Sequence, residues 1–142
     1  MTLTDKFNEW FKGEPAAVDF ANALWHAAQE WDDFEDAGQG DKRLFAWLAF
    51  GKEYHPFFHQ NAHLMRPALL SMHLQWTAAN VLDRGDRQDV AKSYMLRAGI
   101  YSVWHMMAWI TGGQDWAEEI GPTIYRTYAE TPDDLFKEFN NA

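Results

Sequence analysis

The chain has 142 residues, of which 47% are hydrophobic and 16% aromatic, with eight tryptophans and no cysteine. This composition excludes a disordered polymer, and the missing cysteines exclude disulfides, thiolate metal sites and thiol nucleophiles. A formal net charge of −9, from 12 Lys and Arg against 21 Asp and Glu, excludes the basic stripe of a nucleic-acid binder.

Met1 to Lys12 reads as an amphipathic helix carrying Asp5, Lys6 and Glu9, not as a leader peptide, and it stops at Gly13. Pro15 suits the first turn of a second helix, which runs to about Ala37 and ends at Gly38 and Gly40. Asp41 caps a short helix from Lys42 to Phe50, closed by Gly51. After a connector, Glu53 to Pro56, a long helix is predicted from Phe57 to Asp83, kinked near Pro67. Gly85 ends it, and Asp86 opens another that runs to Thr111 before Gly112 and Gly113. Asp115 to about Glu130 follows, bent at Pro122. Thr131-Pro132-Asp133-Asp134 supplies a cap, a first-turn proline and acids favoured by the helix dipole, and starts a last helix through Phe139.

No segment alternates apolar and polar residues, so no strand is predicted. Every apolar stretch is too short to span a bilayer. The expectation is an all-α, single-domain helical bundle over 1–142, of about five to seven helices, located in the cytoplasm. Tyr94 to Ile110 is apolar nearly all round through Met95, Leu96, Ile100, Val103, Trp104, Met106, Met107 and Trp109. That pattern predicts a central helix or a homodimer interface.

The end of the second helix is the most unusual segment. Asn22, His26, Gln29, Asp33 and Asp36 form a stripe opposite Phe20, Leu24, Ala27, Ala28 and Trp31. The stripe holds no cation, although a solvated face usually mixes both signs. Asp32, Asp33, Glu35 and Asp36 crowd the C-terminal end, where the dipole disfavours anions by about 0.3–1 kcal/mol each. A divalent ion, Mg²⁺ above all, would relieve the crowding, with Asp32, Asp33 and Asp36 as ligands. Alternatively, Lys42 and Arg43 fold back to neutralise the acids, or the stripe simply faces water.

Asp32-Asp33-Phe34-Glu35-Asp36 resembles the first Asp-rich motif of the all-α isoprenoid synthases, which implies Mg²⁺ ions that bind a diphosphate. A second Asp-rich motif is missing and the chain is far shorter than that fold, so prenyl chemistry is not inferred. An aromatic-rich helix ending in Trp31-Asp32-Asp33, followed by a glycine turn and Gly40-Asp41-Lys42, resembles small helical proteins encoded by phages and prophages. That resemblance implies an accessory protein and supplies no mechanism. Glu30-Trp31-Asp32-Asp33 is similar to one acidic pair of the all-α nucleoside triphosphate pyrophosphatases, but the facing pair is missing.

His55, His59 and His63 recur every four residues, a spacing that lets His59 and His63 share a transition metal or, with Arg66, an anion. More often, such histidines sit at a helix start and make ordinary hydrogen bonds. Tyr94, Arg97, Tyr101 and His105 fall on one helical face, where Arg97 needs a carboxylate, with Asp33 or Asp36 as the expected partner. The other reading has Arg97, Tyr101 and His105 close a phosphate pocket opposite the Asp cluster. No Ser/His/Asp set, nucleophile elbow or phosphate-binding Gly loop is visible.

Two function classes follow. One is an Mg²⁺-dependent protein that binds or acts on a phosphorylated small molecule. Its metal ligands are Asp32, Asp33 and Asp36, and its phosphate ligands come from Arg97, Arg66, Lys92, Tyr101, His105, His59 and His63. The other is a non-catalytic helical interaction protein, perceived by its partner through acids and tryptophans.

Overall fold

Thr2 sets the first helix. Its hydroxyl accepts from the Asp5 N–H at 3.1 Å while the Asp5 carboxylate accepts from the Thr2 N–H at 2.9 Å, a reciprocal capping box. These hydrogen bonds hold the Asp5 carboxyl below its usual value. The computed structural model describes the backbone of residues 1–37 and 51–140, and their side chains apart from residues 31, 33–37, 51 and 140. The chain divides into two compact units, Met1–His63 and Leu64–Ala142.

In the first unit, α1 spans Leu3–Trp10 and α2 spans Pro15–Ala37, and the two pack together. Between them Lys12 and Gly13 take positive φ, 56° and 71°, so the chain reverses sharply. The Gly13 N–H returns to the Asn8 carbonyl at 2.8 Å. A short 3₁₀ turn, Gly51–Tyr54, leads into α3, Pro56–Gln60, which packs on α2. The core here is aromatic: Phe7, Trp10 and Phe11 interlock with centroids 5.6–6.4 Å apart, and Phe20 lies 5.9 and 6.0 Å from Phe57 and Phe58. The expected helix from Lys42 to Phe50 lies outside the described residues, as do Lys42 and Arg43 themselves.

The second unit is built from α4 (Ala62–Leu82, whose first two residues belong to the first unit), α5 (Arg87–Arg97), α6 (Gly99–Arg126) and α7 (Pro132–Asn140). Asp86 caps α5 by accepting from the Asp89 N–H at 2.9 Å. Thr131 and Asp134 cap α7 reciprocally, both bonds 3.1 Å. α5 packs on α7 and on α6. The buried interior includes Val103, Trp104 and Met107 of α6, Ile120 and Ile124 further along it, and Leu135 of α7.

All described residues are helical, turn or irregular, with no strand among them, in agreement with the all-α expectation. Two helix breaks differ from those expected. The helix predicted from Phe57 breaks at Asn61, six residues before Pro67. The Asn61 N–H closes on the Phe57 and Phe58 carbonyls, and its carboxamide donates to Phe57 O at 2.9 Å, so the turn is capped from both sides. α4 then continues without a break through Pro67. The helix predicted from Asp86 to Thr111 likewise breaks at Ala98 (φ −91°, ψ 18°), which separates α5 from α6.

Candidate functional site

A concave surface of the second unit comes from the way α6 reverses on itself. Gly113 has φ 87° and ψ −179°, a conformation open essentially to glycine alone. It splits α6 into a first arm, 99–112, and a second arm, 114–126. The arms return against each other, so residues equidistant from Gly113 meet. His105 therefore lies over Gly121, where a Cβ would come within 2.7 Å of the imidazole Nε2. Gly121 is what allows the ring to approach the opposing backbone.

That approach fixes the imidazole. His105 Nε2 lies 2.9 Å from the Ala117 carbonyl, which can only accept, so Nε2 carries a proton. In the neutral ring Nδ1 then accepts, and the Tyr125 hydroxyl stands 3.2 Å from it. Tyr125 Oη is also 3.4 Å from Ser102 Oγ. The phenol has one proton, and the shorter contact makes His105 its stronger acceptor. At the other end, Trp109 Nε1 donates to Gln114 at 3.1 Å, and Gln114 donates to Glu118 at 3.0 Å.

Between these two polar chains lies a cavity of about 650 Å³, walled by Leu64, Met106, Trp109, Ala117 and Pro122. Trp109 and Tyr125 keep 44% and 42% of their surface exposed while their polar atoms are engaged. This combination suits binding: a mostly apolar wall with a few oriented polar groups. Ser102 is bonded to a phenol, not to the imidazole, so no nucleophile–base pair is formed here.

The residues singled out by sequence are dispersed. The break at Ala98 takes Arg97 off the helix that carries Tyr101 and His105, and each of the three finds different company. Arg97 Nη1 pairs with Asp83 Oδ2, just past the end of α4, and its guanidinium sits 5.6 Å from the Phe139 ring. Its partner among the described residues is Asp83, a carboxylate that the turn after α4 delivers only fourteen residues away in sequence; the side chains of Asp33 and Asp36, the expected partners, lie outside the described residues. Tyr101 stacks on Tyr128 (5.4 Å), which stacks on Tyr94 (5.2 Å). Burial, and then the neighbouring Glu130, push the Tyr101 and Tyr128 hydroxyls upward, most strongly at Tyr128, which donates to Glu130 at 3.0 Å. His105 alone lines the cavity.

Arg66 and Lys92 are exposed, on α4 and α5 respectively. His59 and His63 are exposed as well, and the turn at Asn61 falls between them, so they do not share one helical face as the four-residue spacing suggested. His55 turns instead to Asp19, 3.3 Å away. α2 does extend through Ala37, which places Asp32, Asp33 and Asp36 in its closing turns, where no basic residue accompanies them. Asp32 is half-buried, while the Asp33 and Asp36 side chains lie outside the described residues. Among the described residues no group of three His, Asp or Glu is placed to hold a metal ion, and no helix is long and apolar enough to cross a membrane. Sequence reading missed Ser102, Gly121 and Tyr125, although counting outward from Gly112-Gly113 would have set them near His105. No family model, curated protein or solved structure matches the chain.

Proposed function

We propose that the protein is a non-catalytic helical interaction module, whose α6 hairpin receives an apolar, positively charged segment of a partner protein. The observation that carries this reading is the cavity of about 650 Å³ lined by the part-exposed Trp109 and Tyr125. Exposed aromatics that become buried on binding are the anchors that dominate protein interfaces. Charge favours a basic partner. The second arm carries the exposed acids Asp115, Glu118 and Glu119 against one cation, Arg126, on a chain of net charge −9. Such fields steer oppositely charged partners and weaken with salt.

Titration of Trp fluorescence with an amphipathic peptide bearing Leu, Trp and Lys tests this, beside the same peptide with Glu for Lys. The basic peptide should bind, with affinity falling as salt rises, and Trp109→Ala should weaken it by roughly 30-fold, as loss of an interface anchor does. Equal binding of both peptides, or an indifferent Trp109→Ala variant, would refute the proposal.

A second proposal concerns Asp32, Asp33 and Asp36, supported by their crowding in the closing turns of α2, where the helix dipole disfavours anions. There Mg²⁺ would sit between the carboxylates and a phosphorylated small molecule. Mg²⁺ should then raise the melting temperature of the protein and leave Asp33→Asn unmoved; no Mg²⁺ effect on the unsubstituted chain removes this reading.

A further inference from the structure

We propose that the outward face of α4 is the seam of an antiparallel homodimer. α4 buries Met65, Leu69 and Ala79 along one side. On the opposite side it exposes Leu70 (58%), Leu74 (56%) and Val81 (69%). At 100° per residue these three fall within about 40° of one another, a single stripe. The exposed residues around them on α4 are Pro67, Ser71 and Ala78, with His63 and Arg66 towards its first turn.

The charge pattern identifies the occupant. α4 contains no Asp or Glu, and Arg66 is its one Lys or Arg, in a chain holding 21 acids. Solvated helix faces ordinarily carry both signs. A two-fold interface sets each residue against the same patch on the other copy, so any cluster of like charge would meet itself. The exposed acids of the second α6 arm would repel in that arrangement, and so would Arg87 and Lys92 of α5. The outward face of α4 is a long helical face that two chains of charge −9 can share without stacking carboxylates.

Direction follows from the same residues. With the two-fold axis at Leu74, Leu74 meets Leu74, Leu70 meets Ala78 and Val81 meets Pro67, so large side chains face small ones. Arg66 then approaches the C-terminal turn of the other α4, whose carbonyls carry partial negative charge. Parallel pairing would instead set Arg66 against Arg66. This seam is separate from the hairpin cavity and does not depend on it.

Because the chain has no cysteine, single introduced cysteines report the geometry directly. Sedimentation equilibrium should give twice the 16.5 kDa chain mass, and Leu74→Glu should return it to one. Leu74→Glu mixed with Leu74→Lys should restore the doubled mass, which separates loss of the seam from loss of the fold. Under mild oxidation Leu74→Cys should form a covalent dimer. Val81→Cys should not, since antiparallel copies hold that position about 21 Å apart along the seam. A monomeric unsubstituted protein at its highest soluble concentration, or a dimer untouched by Leu74→Glu, overturns the proposal. Equal cross-linking at both positions overturns the antiparallel direction, and a stripe covered only by an added partner protein assigns it a different occupant.

Discussion

α4 and the first arm of α6 are alike in sequence character, each apolar around most of its circumference, yet the second unit treats them oppositely. The α6 arm is enclosed apart from the groove edge at Ser102 and Trp109: Trp104 and Met107 are fully buried and Ile100 is 8% exposed. α4 is enclosed on one side only, and Leu70, Leu74 and Val81 meet solvent. The difference lies in cover. The α6 arm has its own second arm folded back on it by Gly113 and has α5 alongside. α4 meets the start of α6, where Met72 and Gln75 close over Gly99, and its outer side receives nothing from the described residues of its unit. An all-round apolar helix thus signals a need for cover without saying whether the same chain supplies it.

The tie between the two helices is the most costly place to intervene. Asp83 follows α4 and Arg97 precedes α6, and both side chains are largely buried, 8% and 18% exposed. Arg97→Met should destabilise by about 3–5 kcal/mol, because it strands a buried carboxylate. Adding Asp83→Leu should recover much of that loss in chemical denaturation. A single variant that melts like the parent would mean that this pair does not orient α4 against α6.

Cavity-forming substitutions probe the contrast itself. Met107→Ala should cost about 2–5 kcal/mol, as in other buried positions. Leu70→Ala, measured in dilute solution, should stay within about 0.5 kcal/mol, as exposed sites do. Similar costs at the two positions would erase the distinction between covered and uncovered helix. The smallest effect is a pH response. Tyr101 and Tyr128 flank the first α6 arm, and their hydroxyls are raised above the ordinary 10.0 by burial and by Glu130. Above pH 10 the unfolded tyrosines lose protons that the folded ones keep, so the native state binds more protons and stability falls as pH rises. Below pH 10 this contribution is constant. Tyr128→Phe should flatten the fall in melting temperature on the alkaline side; an equally steep fall would place its cause elsewhere.

Local chemistry made much of the helix plan readable. Gly13, Pro15, Asp86 and Thr131 act on their immediate neighbours, and the helix ends fall at or near them. Gly112-Gly113 was legible as a stop, but the reversal depends on Gly113 adopting φ 87°, which residue identity permits without requiring. The breaks at Asn61 and Ala98 were not legible. Asn61 succeeds through a side-chain bond to Phe57, and Ala98 carries no breaking propensity of its own. Arg97 was correctly read as needing an acid. Its partner is selected by the turn between α4 and α5, which no helical periodicity encodes. At the groove, His105 was visible as a polar residue on an apolar face, whereas Tyr125 and Ser102 gain their meaning only from hairpin register.

The hairpin also has a consequence for how the molecule comes into being. His105 and Ala117 are twelve residues apart, and Ser102 and Tyr125 twenty-three, so nearly every wall of the groove is assembled from neighbouring chain. Contacts of short sequence separation form early, and helical proteins rich in them fold in about microseconds to milliseconds. Once residue 126 is free to fold, the segment 99–126 contains both arms and the reversing glycine. Only Leu64 must arrive from elsewhere to complete the cavity lining. Refolding of the segment 99–126, followed by amide protection in pulsed hydrogen exchange, should therefore show a fast phase that Gly113→Ala slows.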